Sequence, residues 1–310
     1  MANAPPRLGT GNLSPRTLVK DRYIIVGKIA QGGMGAVYRV TDTHLDDAAR
    51  QLAKTWALKE MSESAFQPDQ LQEAVQNFRR EATLLAHLRH PNLPEVHDLF
   101  EYQGKYYLIM DYIEGETLDQ ILAARPTPLD LGTVLKWANQ LCGVLQYLHD
   151  QSPPIIYRDL KPSNIMLEKT DGLLKIIDFG IARFQKKRTS RNLLQTGQSI
   201  EDAGIGTMGY APPEQWQKGN VTTQADVYAL GVVLFQLLTK HDPTTTPFNL
   251  PSLRQMNPKV PQAIADVITK AHAEKLAERY QTITDFQRDL TRAWLGTFGR
   301  WNVPGAGSAK

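Results

Sequence analysis

Two short polar motifs, each preceded by apolar residues, constrain this chain more than any other feature. The first reads Tyr157-Arg158-Asp159-Leu160-Lys161-Pro162-Ser163-Asn164 and follows two isoleucines, and the second reads Asp178-Phe179-Gly180 and follows two more. Apolar runs of this kind predict buried β-structure, which would hold the two polar motifs close together in one loop region. Two carboxylates, an amide oxygen and an ammonium group gathered there suit a metal–phosphate complex beside a hydroxyl that must lose a proton.

Each polar side chain of the two motifs has a distinct candidate role. Asp178 is the natural metal ligand, Asn164 is a neutral second ligand, Lys161 supplies the counter-charge and Asp159 is the base. Any one of these residues alone would indicate only a charged surface loop between strands. Their joint spacing, however, resembles the catalytic loop and the D-F-G metal motif of protein kinases. The sequence therefore resembles the protein kinase family.

The composition is compatible with a protein kinase and argues against a nucleic-acid-binding, a disulfide-stabilised and a membrane-spanning protein. The 310 residues are 42% hydrophobic and 22% charged, which suffices for two packed lobes. A net charge of +3 is too small to predict a nucleic-acid partner, and the single cysteine, Cys142, excludes an internal disulfide. We find neither a membrane-spanning run nor a signal-peptide core, and expect a soluble, cytoplasmic protein. A longer parent protein could still be membrane-tethered through another segment.

A glycine cluster between two strand-like runs predicts a hairpin whose backbone N–H groups can cover phosphates. By itself this pattern fits a plain hairpin equally well. The kinase pattern is G-x-G-x-x-G-x-V, and here Ala30 replaces the first glycine while Gly32, Gly35 and Val37 match. The resemblance implies that this loop binds ATP through Ile29, Gly32, Gly33, Gly35 and Val37.

Lys59, between apolar neighbours in a predicted strand, resembles the kinase lysine that holds the α- and β-phosphates. A lysine in such a strand is otherwise an edge residue whose ammonium reaches solvent. Its predicted partner is Glu81, on a helix predicted over residues 69–88, and Glu73 on the same helix is the rival. Glu81 is preferred because it lies nearer the end of the helix.

A second predicted hairpin, over residues 96–100 and 105–113, ends at the segment that resembles the kinase hinge. The resemblance places Met110 at the gatekeeper position. It implies that the backbone of Asp111 and Ile113 meets the adenine edge, and that Val37, Ala57 and Met166 enclose the adenine faces. Core packing of these three apolar residues is an alternative that does not conflict with nucleotide binding.

Residues 181–205 are polar, basic and unpatterned, which resembles a kinase activation segment. Arg158, beside the base, is positioned to bind a phosphate on this segment. The candidate phosphorylation sites are Thr189, Ser190, Thr196 and Ser199. Thr196 is favoured for its central position. Thr207 is assigned to the substrate site, with phosphorylation at Thr207 as an alternative. The alternative is an unmodified linker in a constitutively active kinase.

Four further residues have structural roles in the resemblance. Glu214 closes the segment ending Gly-Thr-Met-Gly-Tyr-Ala-Pro-Pro-Glu, in which Pro212 replaces the usual alanine, and Arg279 is its predicted ion-pair partner. Asp226, the charge near the start of an apolar helix, should accept backbone N–H bonds from the catalytic loop. Tyr157 stands where kinases usually have histidine, and is expected to pack under Phe179.

The predicted fold is α+β and bilobal, with a small β-rich N-lobe carrying one long helix and a larger, mainly helical C-lobe. The predicted boundaries are a flexible tail over 1–20, a kinase domain over 21–298 (N-lobe about 21–110, C-lobe about 114–298) and a tail or linker over 299–310. Helices are predicted at 118–124, 134–149, 225–238, 262–273 and 283–295.

The resemblance, closest to bacterial Hanks-type kinases, implies transfer of the ATP γ-phosphate to Ser/Thr hydroxyls of proteins, with autophosphorylation of the activation segment. It implies Mg²⁺ as the metal, with Mn²⁺ as an alternative. It also implies protein substrates, a transient kinase-domain dimer for trans-autophosphorylation and no nucleic acid. The alternatives are a pseudokinase scaffold that binds nucleotide and a small-molecule kinase of the antibiotic-phosphotransferase type. The complete catalytic set disfavours the first, and the activation segment disfavours the second.

Overall fold

A computed structural model describes residues 10–32, 35–44, 55–61, 76, 83, 85–178, 207–216 and 221–299. The chain divides into two compact units, Met1–Glu114 and Gly115–Lys310. The first contains an antiparallel sheet, and the second contains helices and a small three-stranded sheet. The first unit is therefore rich in β-strands and the second is mainly helical, as the sequence predicts.

Within the described residues, the sheet of the first unit has six strands in the order β1-β2-β3-β4-β6-β5. Its strands are β1 (Leu18–Val19), β2 (Tyr23–Gly32), β3 (Gly35–Asp42), β4 (Thr55–Met61), β5 (Val96–Tyr102) and β6 (Lys105–Asp111). Strict alternation of buried residues in β3 directs Ala36, Tyr38 and Val40 into the hydrophobic core, as expected for a strand with one buried face. Gln103 and Gly104 turn β5 into β6 with positive φ angles, which glycine adopts without strain.

Residues 10–20 differ from the flexible tail that the sequence predicts for this part of the chain. Leu18 and Val19 pair with β2, and the N–H of Arg16 donates to the carbonyl of Ile25 at 2.8 Å. Upstream, the N–H of Gly11 donates to the buried carboxylate of Glu60. These contacts are made by backbone groups, which leave no trace in hydrophobic periodicity.

The second unit begins with β7 (Gly115–Thr117) and then contains α1 (Leu118–Ala123) and α2 (Leu131–His149). A 3₁₀ turn at Pro162–Asn164 leads into β8 (Ile165–Glu168), which pairs with β7 and with β9 (Leu174–Ile176). The later helices are α3 (Pro213–Trp216), α4 (Gln224–Thr239), α5 (Leu253–Met256), α6 (Gln262–Ala271) and α7 (Ile283–Phe298). Each helix predicted in the second unit is therefore present, with its ends shifted by at most three residues. The helix predicted over residues 69–88 lies largely outside the described residues and stays a prediction.

Helix α4 is the centre of the second unit, and every one of its residues is buried. An all-round apolar helix can be stable only when neighbouring elements cover all its faces, and α2, α6 and α7 do so here. Between α4 and the end of α5, only short helical turns form, as the proline-rich sequence predicts. In the described residues, no helix has the length and apolarity needed to cross a bilayer.

Candidate active site

Asp159 lies in a hydrogen-bonded triangle with Lys161 and Thr207. The hydroxyl of Thr207 donates to Asp159 Oδ1 at 3.1 Å and accepts from Lys161 Nζ at 2.7 Å. Lys161 Nζ is also 3.5 Å from Asp159 Oδ2. Because Asp159 is only 4% exposed, its carboxylate is held in one orientation by these partners rather than by water.

Asn164 completes this cluster from the 3₁₀ turn that follows Lys161. Its Nδ2 atom donates to Asp159 Oδ2 at 2.8 Å and to the Asp159 carbonyl at 2.9 Å. Both amide hydrogens of Asn164 are therefore used, which fixes the side-chain oxygen as the atom that Asn164 can offer to a cation. The sequence-predicted residues Asp159, Lys161, Asn164 and Thr207 are thus brought together.

Asp178 follows β9, and β-pairing brings it to the same end of the small sheet as Asn164. Ile165 pairs with Ile176, and the N–H of Ile177 donates to the Asn164 carbonyl at 3.0 Å. One carboxylate and one amide oxygen, completed by phosphate and water oxygens, are a donor set that suits Mg²⁺. The residues present therefore fit the metal that the sequence predicts.

The backbone of the catalytic loop is held by the buried carboxylate of Asp226. Its oxygens accept the N–H groups of Tyr157 and Arg158, each at 2.8 Å, and Oδ2 also lies 2.8 Å from His149 Nε2. Arg158 has a φ of 66°, a conformation that costs a non-glycine residue about 1 kcal/mol. Gln215 Nε2 donates to the Arg158 carbonyl at 2.9 Å, so both backbone groups of this strained residue are satisfied.

Glu214 and Arg279 form an almost fully buried ion pair beside this loop. Arg279 NH1 is 2.6 Å from Glu214 Oε1, and the side chains are 0% and 11% exposed. Further Arg279 donors bind the carbonyls of Ala273, Gln224 and Glu274, and its guanidinium packs over the Tyr228 ring. Every described partner of this charge is therefore a hydrogen-bond acceptor or an aromatic face, as a buried guanidinium requires.

In the first unit, strand register places the predicted nucleotide residues on one face of the sheet. Val37 pairs with Lys59, Arg39 pairs with Ala57, and Ala57 also pairs with Met110. Directly opposed residues of antiparallel strands share a face. Val37, Ala57, Lys59 and Met110 therefore share a face, and it is the one opposite the hydrophobic core that contains Tyr38 and Leu58.

The segment that the sequence predicts to be the hinge is held at Asp111 by Glu95 and His97. The N–H of Asp111 donates to the Glu95 carbonyl at 3.0 Å, and the Asp111 carboxylate lies 2.8 Å from His97 Nε2. Because the Asp111 N–H already donates to the Glu95 carbonyl, only the Asp111 carbonyl remains for the predicted contact with adenine. Ile113 is buried in the same unit, whereas Met166 belongs to β8 of the second unit, where it pairs with Thr117.

Comparison with known proteins agrees with this geometry. Residues 23–293 match the protein kinase domain family. The chain belongs to the protein kinase family. It is 33% identical over 281 residues to a probable serine/threonine-protein kinase PknB of Lactococcus lactis, covering 87% of this chain and 42% of that protein. It is 33% identical over 292 residues to the serine/threonine-protein kinase PrkC of Bacillus subtilis, covering 89% and 41%.

The fold of this kinase is also found among solved structures. The Mycobacterium tuberculosis PknI kinase domain matches with a TM-score of 0.69 and 26% identity, covering 91% of this chain and 99% of that one. These matches confirm the predicted protein kinase family and the bilobal fold, and none of them favours the pseudokinase alternative. The chain spans about two fifths of the length of the curated relatives named above.

Several predicted kinase residues lie outside the described residues. They are Gly33, Glu81 and its rival Glu73, Phe179, and the hydroxyls Thr189, Ser190, Thr196 and Ser199. The pairing of Lys59 with Glu81 and the choice among phosphorylation sites therefore stay predictions. Of the described positions, Ile29 is 48% exposed in β2, and Gly32 pairs with Gly35 where the hairpin turns.

Sequence reasoning missed two residues that support the kinase site, His149 and Gln215, and one contact of Tyr157. His149 binds Asp226 from 77 positions away, Gln215 binds the catalytic loop, and the Tyr157 hydroxyl donates to the Asp178 carbonyl. For His149, its position as the one basic residue in the last turn of α2 was an available signal. For Gln215, no periodicity or spacing indicates a partner 57 residues away.

Proposed function

We propose that this kinase domain transfers the γ-phosphate of ATP to serine and threonine hydroxyls of proteins, with Asp159 as the base. The observation that carries the proposal is the triangle of Asp159, Lys161 and Thr207. This triangle supports two roles. The fixed Asp159 carboxylate would receive the hydroxyl proton, and the Lys161 ammonium, 3.5 Å away, would balance charge on the phosphoryl group. Because the matched relatives are more than twice as long, the activity, substrates and partners of the whole protein are part of this proposal.

Asn164 and Asp178 are proposed to hold Mg²⁺, with Mn²⁺ as an alternative. The metal, when bound, neutralises charge on the phosphate oxygens. Asn164 contributes its side-chain oxygen in an orientation that Asp159 fixes through the amide hydrogens. In the first unit, Lys59 is proposed to bind phosphate oxygens from the face it shares with Ala57 and Met110, which would enclose the adenine.

Control by phosphorylation of the activation segment is a further part of the proposal. The side chain of Arg158 is exposed, and among the described residues it has no ion-pair partner. A phosphate on Thr189, Ser190, Thr196 or Ser199 would supply a bidentate partner for that guanidinium. Autophosphorylation between two copies in a transient dimer would deliver it. Since the reaction consumes ATP, we propose a cytoplasmic location for the domain.

The test is phosphate transfer from radiolabelled ATP with Mg²⁺ to a generic basic protein, followed by mapping of modified residues. We expect phosphoserine and phosphothreonine on the substrate and on the kinase itself, and none with Asp178→Ala. Labelling of tyrosine alone would contradict the proposed specificity. Binding of ATP without transfer to any protein would support the pseudokinase alternative instead.

A further inference from the structure

A buried carboxylate lies on the sheet face opposite Lys59. Glu60 follows Lys59 in β4 and is fully buried, with Oε1 2.6 Å from Lys105 Nζ. Its Oε2 atom accepts the Tyr38 hydroxyl at 3.0 Å and the Gly11 N–H at 2.9 Å. Burial beside this carboxylate raises the pKa of Tyr38 to about 12, so the phenol stays a donor. A charge this deep needs each of these donors, and one of them is a backbone group of residues before the sheet.

Residues 10–14, which we call the N-terminal strap, run from Glu60 to the glycine-rich hairpin. The N–H of Leu13 donates to the Tyr38 hydroxyl at 3.3 Å. At the hairpin, Lys28 Nζ donates to the Gly11 carbonyl at 3.3 Å, and Gln31 Nε2 lies 3.4 Å from the Thr10 carbonyl. Gln31 directly precedes Gly32. The strap therefore contacts both a fixed point in the core and the arm of the hairpin.

Apart from its pairing with β3, the arm of the hairpin has no buried side chain that holds it in position. Residues 28–32 of β2 are all exposed, and the pairing of β2 with β3 shifts register between Lys28 and Ala30. Hydrophobic burial therefore does not fix this half of the strand, and polar contacts decide its position. Lys28 Nζ also donates to Gln31 Oε1 at 2.7 Å, so the two side chains that meet the strap act as one unit.

Position 11 accommodates glycine in this contact but no larger residue. Its φ is +85°, which side chains disfavour, and a Cβ there would lie 2.3–2.6 Å from the amide of Gln31. An alanine at position 11 would therefore either change the backbone of the strap or displace Gln31 from it. Both outcomes break the contact between the strap and the hairpin.

We propose that the N-terminal strap positions the glycine-rich hairpin for ATP, with Gly11 and Gln31 as positioning residues anchored through Glu60. This inference rests on the proposed function only in taking ATP as the ligand. ATP would bind more tightly than it would without the strap. The strap orders the hairpin before the nucleotide arrives, and this removes part of the ordering cost of binding. The strap acts from the face of the sheet opposite Lys59, so it would affect nucleotide binding without touching the transferred phosphate.

The experiment compares Gly11→Ala, Gln31→Ala and the double variant in the 310-residue chain. It measures the Kd of a fluorescent ATP analogue with Mg²⁺ and hydrogen exchange of the hairpin without nucleotide. We expect each single variant to raise Kd about three- to tenfold and to speed hairpin exchange, and the double variant to be no worse than either. kcat at saturating ATP should change less than about twofold, because the residues that act on the hydroxyl are untouched.

Gly27→Ala is the matched control, since Gly27 lies on the same strand and a Cβ there meets nothing within 4 Å. It should leave Kd and exchange unchanged. Unchanged Kd in both Gly11→Ala and Gln31→Ala, or an equal loss in Gly27→Ala, would overturn the inference. Lower thermal stability with normal hairpin exchange would also overturn it, as a merely structural role. A wild-type chain that fails to bind the analogue would refute the proposed function, and hairpin exchange would still decide whether the strap orders the hairpin.

Discussion

The hydroxyl of Tyr157 donates a hydrogen bond to the main-chain carbonyl of Asp178. The N–H of Tyr157 is itself bound to the Asp226 carboxylate at 2.8 Å. A single buried residue therefore links helix α4 to the residue proposed as metal ligand. A tyrosine in the position that the family usually gives to histidine is thus accommodated by a hydrogen bond of its own.

Tyr157→Phe should lower kcat about two- to tenfold, because loss of one buried hydrogen bond of roughly 0.5–1.5 kcal/mol lets Asp178 shift from its position. Steady-state phosphate transfer to a protein substrate measures this effect. Tyr102→Phe is the control, since it removes an exposed tyrosine hydroxyl bonded to Gln103 in the first unit. Equal activity of Tyr157→Phe and wild type would show that the hydroxyl does not position the metal ligand.

Glu214→Ala should destabilise the second unit by about 3 kcal/mol, because Arg279 would keep a buried charge without its carboxylate. Urea-induced unfolding measures the change. Lys275→Ala is the control, since it removes the exposed ion pair between Lys275 and Glu278 nearby and should not shift the midpoint. A similar stability for the two variants would contradict the importance assigned to burial.

His272→Leu should make stability less dependent on pH. Burial against Tyr228 and Phe235 lowers the pKa of His272 to about 4, and its Nε2 has no hydrogen-bond partner among the described residues. The unfolded chain, with a pKa near 6.5, binds more protons, so wild-type stability falls as pH drops from about 6.5 towards 4.

From that pKa shift, the gain in the free energy of unfolding from His272→Leu should be about 1 kcal/mol larger at pH 5.5 than at pH 7.5. Urea midpoints of both proteins at the two pH values measure it. Parallel loss of stability in the variant and the wild type would show that His272 does not cause the pH dependence.

How far the sequence predicts this structure depends on which kind of atom makes each contact. Asp226 could be predicted, because a charge at the start of an apolar helix needs donors, and the catalytic loop supplies two N–H groups. The ion pair of Glu214 with Arg279 followed from family resemblance and is present. The ordered conformation of residues 10–20 could not be predicted, because it depends on a hydrogen bond from the backbone N–H of Gly11 to a carboxylate 49 residues away.

Helix boundaries show the same distinction on a smaller scale. The sequence predicts α2 from residue 134, whereas the helix begins at Leu131 because the Asp130 side chain accepts the N–H of Thr133. Such a cap precedes the first residue of the predicted apolar periodicity by about one helical turn. Likewise, α7 extends to Phe298, where Gly299 ends it in a left-handed conformation, although the predicted helix stops at residue 295.

In the proposed reaction, Asp159 acts on the acceptor hydroxyl and not on the nucleotide. The most direct measurement is single-turnover phosphate transfer by Asp159→Asn, with the Kd of a fluorescent ATP analogue measured on the same preparation. We expect a transfer rate about 10²–10⁴-fold lower with Kd nearly unchanged. A near-normal transfer rate, or a lost rate explained by weaker ATP binding, would contradict it.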